Sequence, residues 1–339
     1  MPQVSRWSAQ EAHQLRLQGL TWQAIAAHFG VSGESTIREG VRRYLGETTR
    51  DTTRSSAAAT ALAARWQREL LGDRSFGVEI EFHTALRGAV AAAVEAAVGY
   101  HIHLIGYHGT TCHSCGGQVN GYTQWKLETD GSATAGMMNA GPAAHNQGGE
   151  LVSPVLKGAA GLRELEKVMA ALRSVGAKVD KKHGMHVHLG VADITGDNRA
   201  RLFQNYKEAQ KTLFELVARS RRNNHYCNPV SLYKLDQWAS ETANNRSISG
   251  SHTDAMNITN IGRIGTIEMR MHQGTLSGKK ATEWVKLLIA FFDASKEGIV
   301  IDGNHKLIDT LLDNNKISAA SAEWLKSRQE SLYPTAVAV

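Results

Sequence analysis

Three stretches of the chain alternate strictly between apolar and polar residues, the period of a strand with one face against a core. In FGVEIEF, Phe76, Val78, Ile80 and Phe82 take one side, and Gly77, Glu79 and Glu81 the other. In HGMHVHLG, Met185, Val187 and Leu189 form the apolar side, with His186 and His188 on the opposite face, about 6.6 Å apart along the strand. In GTIEMRMH, Ile267, Met269 and Met271 back the core while Thr266, Glu268, Arg270 and His272 line the front. A half-solvated edge strand would account for any one of these, although glutamate is depleted in strands. Three together are more simply one sheet whose open face is a shared functional floor.

Elsewhere the period is helical. Residues 7–45 read as a compact trihelical unit: Ser8 is an N-cap after Trp7, and Leu15, Leu17 and Leu20 follow. Thr21 caps TWQAIAAHF, Gly30 turns, Val31 is buried in the turn, and Ser35 or Thr36 starts a third helix ending near Leu45. The string LTWQAIAAHFGVSGESTIREGVRRYL resembles small helix-turn-helix domains, whose third helix would offer Glu34, Ser35, Arg38, Arg42 and Arg43 to DNA. A three-helix docking module is the plainer alternative. The following stretch is rich in Thr, Ser, Ala and Arg and reads as a linker with a lead-in helix. Helices at 84–98, 160–175, 199–219 and 281–297 have supporting amphipathic spacing. The organisation expected is therefore a head at 1–46, a linker and lead-in helix at 47–73, a catalytic domain at 74–300, and a helical tail at 301–339 with frayed PTAVAV.

Composition narrows the class. The 339 residues, 42% apolar and 21% charged, are those of a folded globular protein. No apolar run is long enough for a membrane span, and the start lacks a secretory signal. With three cysteines, a reducing cytoplasm is the expected compartment. Residues 1–75 hold ten Arg and seven acids, a basic head compatible with nucleic acid. Twelve of the fifteen histidines fall between His83 and His272, which points to metal or proton chemistry there.

The floor names its own partner. Glu79, Glu81 and Glu268 would repel one another unless cations lie between them. Oxygen ligands with one imidazole suit Mg²⁺ or Mn²⁺. Arg270, on the face of Glu268, suits a phosphate oxygen. Carboxylates, histidine, magnesium and arginine together equip nucleotide-driven phosphoryl chemistry. Two weaker segments accompany the strands. In NQGGELVSPVLKG, Glu150 precedes an apolar run and Gly148–Gly149 let backbone approach a ligand; QWKLETDGS, with Trp125, Asp130, Gly131 and Ser132, reads as a strand into a tight turn.

Taken in order, FGVEIEF, WKLETDGS, GGELVSPVL, GMHVHLG and TIEMRMHQGTL resemble the amidoligase family of bacteria and phages. That family belongs to the carboxylate–amine ligase group, with the fold of glutamine synthetase and glutamate–cysteine ligase. The resemblance covers roughly residues 74–300 and implies an α+β fold: a curved, mainly antiparallel sheet backed by helices, with a small all-α N-terminal domain added. It implies ATP-dependent amide formation between a carboxylate substrate and an amine substrate through an acyl phosphate. Its metal ligands fall on Glu79, Glu81, Glu150, His186 and Glu268. The nucleotide falls near His188, Arg270, Trp125, Asp130 and Ser132. Catalysis falls on Arg270 and Glu268, with Arg246, in a loop that also offers Asn257, binding the carboxylate or nucleotide. A metal-dependent hydrolase on the same floor, or a DNA-binding protein with a degenerate ligase body, are the alternatives. The sequence leaves the substrates and the oligomeric state open.

The loop YHGTTCHSCGGQVNG carries Cys112 and Cys115 as CxxC. Such a pair holds zinc or forms a redox couple. A closed Zn²⁺ site needs four ligands, which His108 and His113 or Cys227 would complete; reduced thiols in a loop covering substrate are the preferred reading. His101 and His103 alternate in YHIHL and share a face, which the sequence does not identify.

Overall fold

The computed structural model describes residues 12, 15–16, 20–44, 73–119, 121–134, 146–222, 224–303 and 306–334. The chain falls into two compact units, Met1–Arg68 and Glu69–Val339. The linker and lead-in helix expected at 47–73, the N-cap expected at Ser8 and the PTAVAV end lie outside the described residues, apart from Asp73 and Pro334.

In the first unit, Thr21 caps α1 (Trp22–His28), its hydroxyl accepting from the Ala24 amide at 3.2 Å. Gly30, at φ +64°, lets the chain turn back so that the Val31 amide bonds to the Ala26 carbonyl. Helix α2 (Glu34–Tyr44) follows. Ile25, Ala26, Ile37 and Val41 close on Ala12, with Trp22, Phe29 and Val31 packed around them. Glu34, Ser35 and Arg38 are exposed; the side chains of Arg42 and Arg43 lie outside the described residues.

The second unit is an α+β body built on one eight-stranded sheet. Its elements are β1 (Ser75–Leu86), α3 (Arg87–Val98), β2 (His103–Leu104), β3 (Lys126–Glu128), β4 (Gln147–Val152), β5 (Leu156–Lys157), α4 (Gly158–Ser174), β6 (Gly184–Gly190), α5 (Gly196–Glu215), α6 (Leu232–Ala243), β7 (Met256–Asn257), β8 (Thr266–Gln273), α7 (Gly278–Lys296), α8 (Leu307–Asp313) and α9 (Ala319–Leu332). The strand order is β2-β3-β4-β1-β6-β8-β7, with β5 also on β1. All pairs are antiparallel except β2 with β3. The expected mainly antiparallel sheet backed by helices is what forms.

The apolar strand faces supply the core: Phe76, Val78, Ile80, Met185, Val187, Leu189, Ile267 and Met269 are all buried. Helix α7 is buried almost all round, including Trp284, Leu287, Leu288, Phe291 and Phe292, because it packs against β6 as well as α4 and α5. No helix among the described residues is long and apolar enough to cross a membrane.

Two expectations need correction. The helix expected from residue 84 begins at Arg87, because β1 continues through Leu86. His272 does not join the polar floor. Val187 pairs with Met269 but Met185 with His272, so β8 holds one residue more than β6 over that stretch. That bulge turns the side chain to the other face. There it is 1% exposed, its ring 5.3 Å from that of Trp284. Burial first, then the charges of Arg328, Arg221 and Lys280, lowers the imidazole to about 3 against the bond to the Gln273 carbonyl. Unfolded chain therefore binds the proton near pH 6.5 and folded chain only near 3, so stability falls as pH drops between them. The loss approaches about 1.4 kcal/mol per pH unit. His272→Gln should flatten the decline in urea-unfolding free energy from pH 6.5 to 4.5; an unchanged slope would remove His272 as its source.

Candidate active site

Register assembles the floor. Glu79 pairs with His186, Glu81 with Glu150, Glu150 with Glu128, His188 with Glu268, and Glu268 with Asn257. Directly paired residues share a face. Polar side chains from β3, β4, β1, β6, β8 and β7 thus form one row across the sheet.

His186, 4% exposed, sits among three carboxylates. Its Nδ1 lies 3.2 Å from Glu79 Oε2 and 3.4 Å from Glu268 Oε1, and its Nε2 3.8 Å from Glu81 Oε1. His188 Nε2 takes the other Glu79 oxygen at 3.2 Å, while its Nδ1 meets the Thr266 hydroxyl at 3.0 Å. The Gly184 amide donates to Glu81 Oε2, and Asn257 Nδ2 to Glu268 Oε2, both at 2.7 Å. Arg270 Nη1 donates to Glu268 Oε1, and its Nε to the Tyr226 carbonyl at 3.1 Å.

The electrostatics show a floor short of positive charge. Burial alone would raise the Glu79 carboxyl, but His188 and His186 outweigh it and hold it well below the usual range. His188 is correspondingly raised: burial opposes its charge, and Glu79 and Glu268 favour it. Glu150 has no such help. Burial, then Glu79, Glu81, Asp130 and Glu128, push it well above the carboxylate range. That crowding of negative charge is what a divalent cation between the carboxylates would relieve. The groups Glu79–His186–Glu268 and Glu81–Glu150–His186 each bring three donor atoms within 4.8 Å of one another. Oxygen-rich donors with an imidazole, facing surplus negative charge, fit Mg²⁺ or Mn²⁺.

A cavity of about 660 Å³ opens from Glu79 and His188, walled by Phe76, Val152 and Val155 and rimmed by Lys157 and Lys296. That is the size of a small-molecule site.

All five residues matched to metal ligands meet in this row. The other expectations fare differently. Trp125 is fully buried and donates its indole N–H to Glu164 at 2.8 Å, so it faces the core and no ligand. Asp130 acts on Glu150 as one more acid. The Ser132 side chain lies outside the described residues. Arg246 is exposed on the turn ending α6 and does not line the cavity. The Gly149 backbone approaches protein and not ligand: a Cβ there would stand 2.7 Å from Arg87 Nη1 and closer still to the Glu128 carbonyl. Glu128 and Arg221 were not singled out in the sequence. Glu128, 4% exposed, ends the row on β3 and pairs with Lys126 at 2.8 Å. Arg221, 1% exposed, donates to the Arg270 carbonyl at 2.9 Å. Alternation in WKLE would have found Glu128; no period marks RSRRNN. The expected partners of Cys112 and Cys115 also change. Cys227 is buried elsewhere, its thiol donating to the Arg221 carbonyl, and His108 turns to Glu128. His101 and His103 face the two cysteines instead.

A family model described as "Putative amidoligase enzyme" matches residues 72–292. No curated protein matches the chain. Among solved structures, a bifunctional glutathione synthetase from Pasteurella multocida is similar at 14% identity and TM-score 0.39, over 77% of this chain and 47% of that one. A novel glutamine synthase homolog is similar at 12% identity and TM-score 0.33, over 80% and 68%. The chain thus spans about half the length of the glutathione synthetase.

Proposed function

The chain belongs to the amidoligase family, and we propose that it joins a carboxylate to an amine using ATP, through an acyl phosphate. The observation that carries this is the pair of donor groups meeting at His186 beside the cavity. Glu79, His186 and Glu268 would hold one divalent cation, and Glu81 with Glu150 a second. Mg²⁺ bound there supplies charge against the phosphates and the developing transition state.

The chain's own groups do the rest. The cavity walls take the nucleotide, and His188 orients its phosphates at the inner end. A substrate carboxylate oxygen forms a bond to the γ-phosphorus as the bond to ADP breaks. Arg270, which donates to Glu268, would turn its fork to the moving phosphoryl oxygens. The amine nitrogen then attacks the acyl carbon, inorganic phosphate leaves, and the amine proton passes to a floor carboxylate.

The test is thermal stability of the full chain with Mg²⁺ alone and with Mg²⁺ and ATP, followed by phosphate release over a panel of carboxylates and amines. Added stabilisation by ATP and phosphate release that needs both substrates are expected. Stabilisation by metal alone, with nucleotide-free amide cleavage, would instead mean a hydrolase. For the head, DNA contact would run through Ser35 and Arg38, both exposed, with Arg38 also 3.5 Å from Glu34. Full-length chain should then bind labelled duplex with affinity that falls steeply with salt; no binding at low salt would leave a docking module.

A further inference from the structure

Away from the floor, His101, His103, Cys112 and Cys115 bring one donor atom each within 4.8 Å of one another. They come from two segments. His103 opens β2 and His101 stands two residues before it, while the cysteines lie in a tight loop closed by the Thr111–Gln118 bridge. Within it the Cys112 amide bonds to the Gly117 carbonyl at 2.9 Å and the Gly116 amide to the Cys112 carbonyl at 2.8 Å. Gly116 takes φ +70°, a conformation open to glycine at little cost. The turn carries both thiols to one side.

Each imidazole is fixed from behind. His101 Nδ1 bonds to the Glu95 carboxylate at 2.6 Å, which leaves Nε2 facing Cys112 Sγ at 3.7 Å. His103 Nε2 donates to Gln124 Oε1 at 2.6 Å, which makes Nδ1 the lone-pair nitrogen. That Nδ1 is buried with no hydrogen-bond partner. A buried lone pair without a donor is costly, and metal-bound histidines characteristically give their other nitrogen to a carboxylate or carbonyl oxygen. Two thiols and two imidazole lone pairs converging is the donor set of tetrahedral zinc, whose ligand atoms sit roughly 3.5 Å apart on bonds of about 2.0–2.3 Å.

We propose that His101 Nε2, His103 Nδ1, Cys112 Sγ and Cys115 Sγ bind a structural Zn²⁺. All four positions are taken by protein, so the ion is closed to water and serves architecture, not chemistry. What it secures is the edge of the floor. β2 is only two residues long, and the loop it leads into places the His108 amide 3.1 Å from Glu128 Oε2. Zinc ties that loop to the strand carrying His103.

The proposal is independent of the ligase reading. Full-length chain is purified, dialysed against a mild chelator to clear weakly held cations, and assayed for metal. We expect roughly one zinc per chain, and after exchange to Co²⁺ the absorption of a tetrahedral two-thiolate site. Cys115→Ser, at an exposed position, should fold and lose at least about tenfold in retained zinc; Glu268→Gln should retain it all. Wild-type chain without zinc and with freely reacting thiols would overturn the site. So would a Cys112–Cys115 disulfide in freshly purified chain, or full zinc in Cys115→Ser.

Discussion

Glu79→Gln and Glu268→Gln should each lower ATP turnover by about a thousandfold, the several kcal/mol a catalytic cation supplies, while the chain stays folded. The amide keeps the volume of the carboxylate, so the packed row is not opened. At position 268 the glutamine oxygen still accepts from Asn257 Nδ2, which now donates to Glu268 at 2.7 Å. At position 79 the oxygen still accepts from one of the two histidines that flank it at 3.2 Å. What disappears is a negative charge in a group of three donors shared with His186. Mn²⁺ titration, turnover and melting temperature measured together separate the outcomes. Weak Mn²⁺ binding with a wild-type melt is the expected result; full turnover in both variants would end the metal assignment. Glu128→Gln is the comparison, because Glu128 stands in neither donor group and already pairs with Lys126. Its turnover should fall much less.

How much of this floor could be read along the chain follows from the periodicity of its strands. β1 as far as Phe82 and β6 throughout alternate in sequence, so Glu79, Glu81, His186 and His188 are assigned to one face from the sequence, and the register then sets Glu79 beside His186. β8 alternates equally well, yet its bulge sends His272 into the core, and a bulge leaves no mark in the apolar–polar pattern. Very short strands carry too few residues to fix a face. Around the three-residue β3, Trp125 just before it turned inward and Glu128 at its end joined the floor, the reverse of the weight each had in the sequence. Arg221 reaches the floor from a single 3₁₀ turn, where no period exists to read. The cysteine loop is similar. Its two thiols are adjacent by spacing, but their histidine partners are reached by a local fold-back, the His113 amide bonding to the Leu104 carbonyl at 2.7 Å, that no period marks.

Arg270 is where two roles meet in one side chain, and a single substitution parts them. Its Nη1 donates to Glu268 and its Nε to the Tyr226 carbonyl, so the guanidinium serves as counter-ion to Glu268. Were that its whole role, any positive charge would do. Arg270→Lys keeps the charge beside Glu268, so Mn²⁺ affinity should stay within about twofold, consistent with an interaction set by charge and little by shape. The lysine cannot present parallel donors to two phosphoryl oxygens. An electrostatic donor aimed at charge that develops only in the transition state is worth about 3 kcal/mol, roughly a hundredfold in rate. Turnover should therefore drop by about that factor at saturating ATP, with the loss in kcat and little in the KM for nucleotide. Wild-type turnover with weakened Mn²⁺ binding would give Arg270 to Glu268 alone. The phosphoryl group would then have to be stabilised from another side of the floor, where the buried Arg221 guanidinium donates to the Arg270 carbonyl at 2.9 Å.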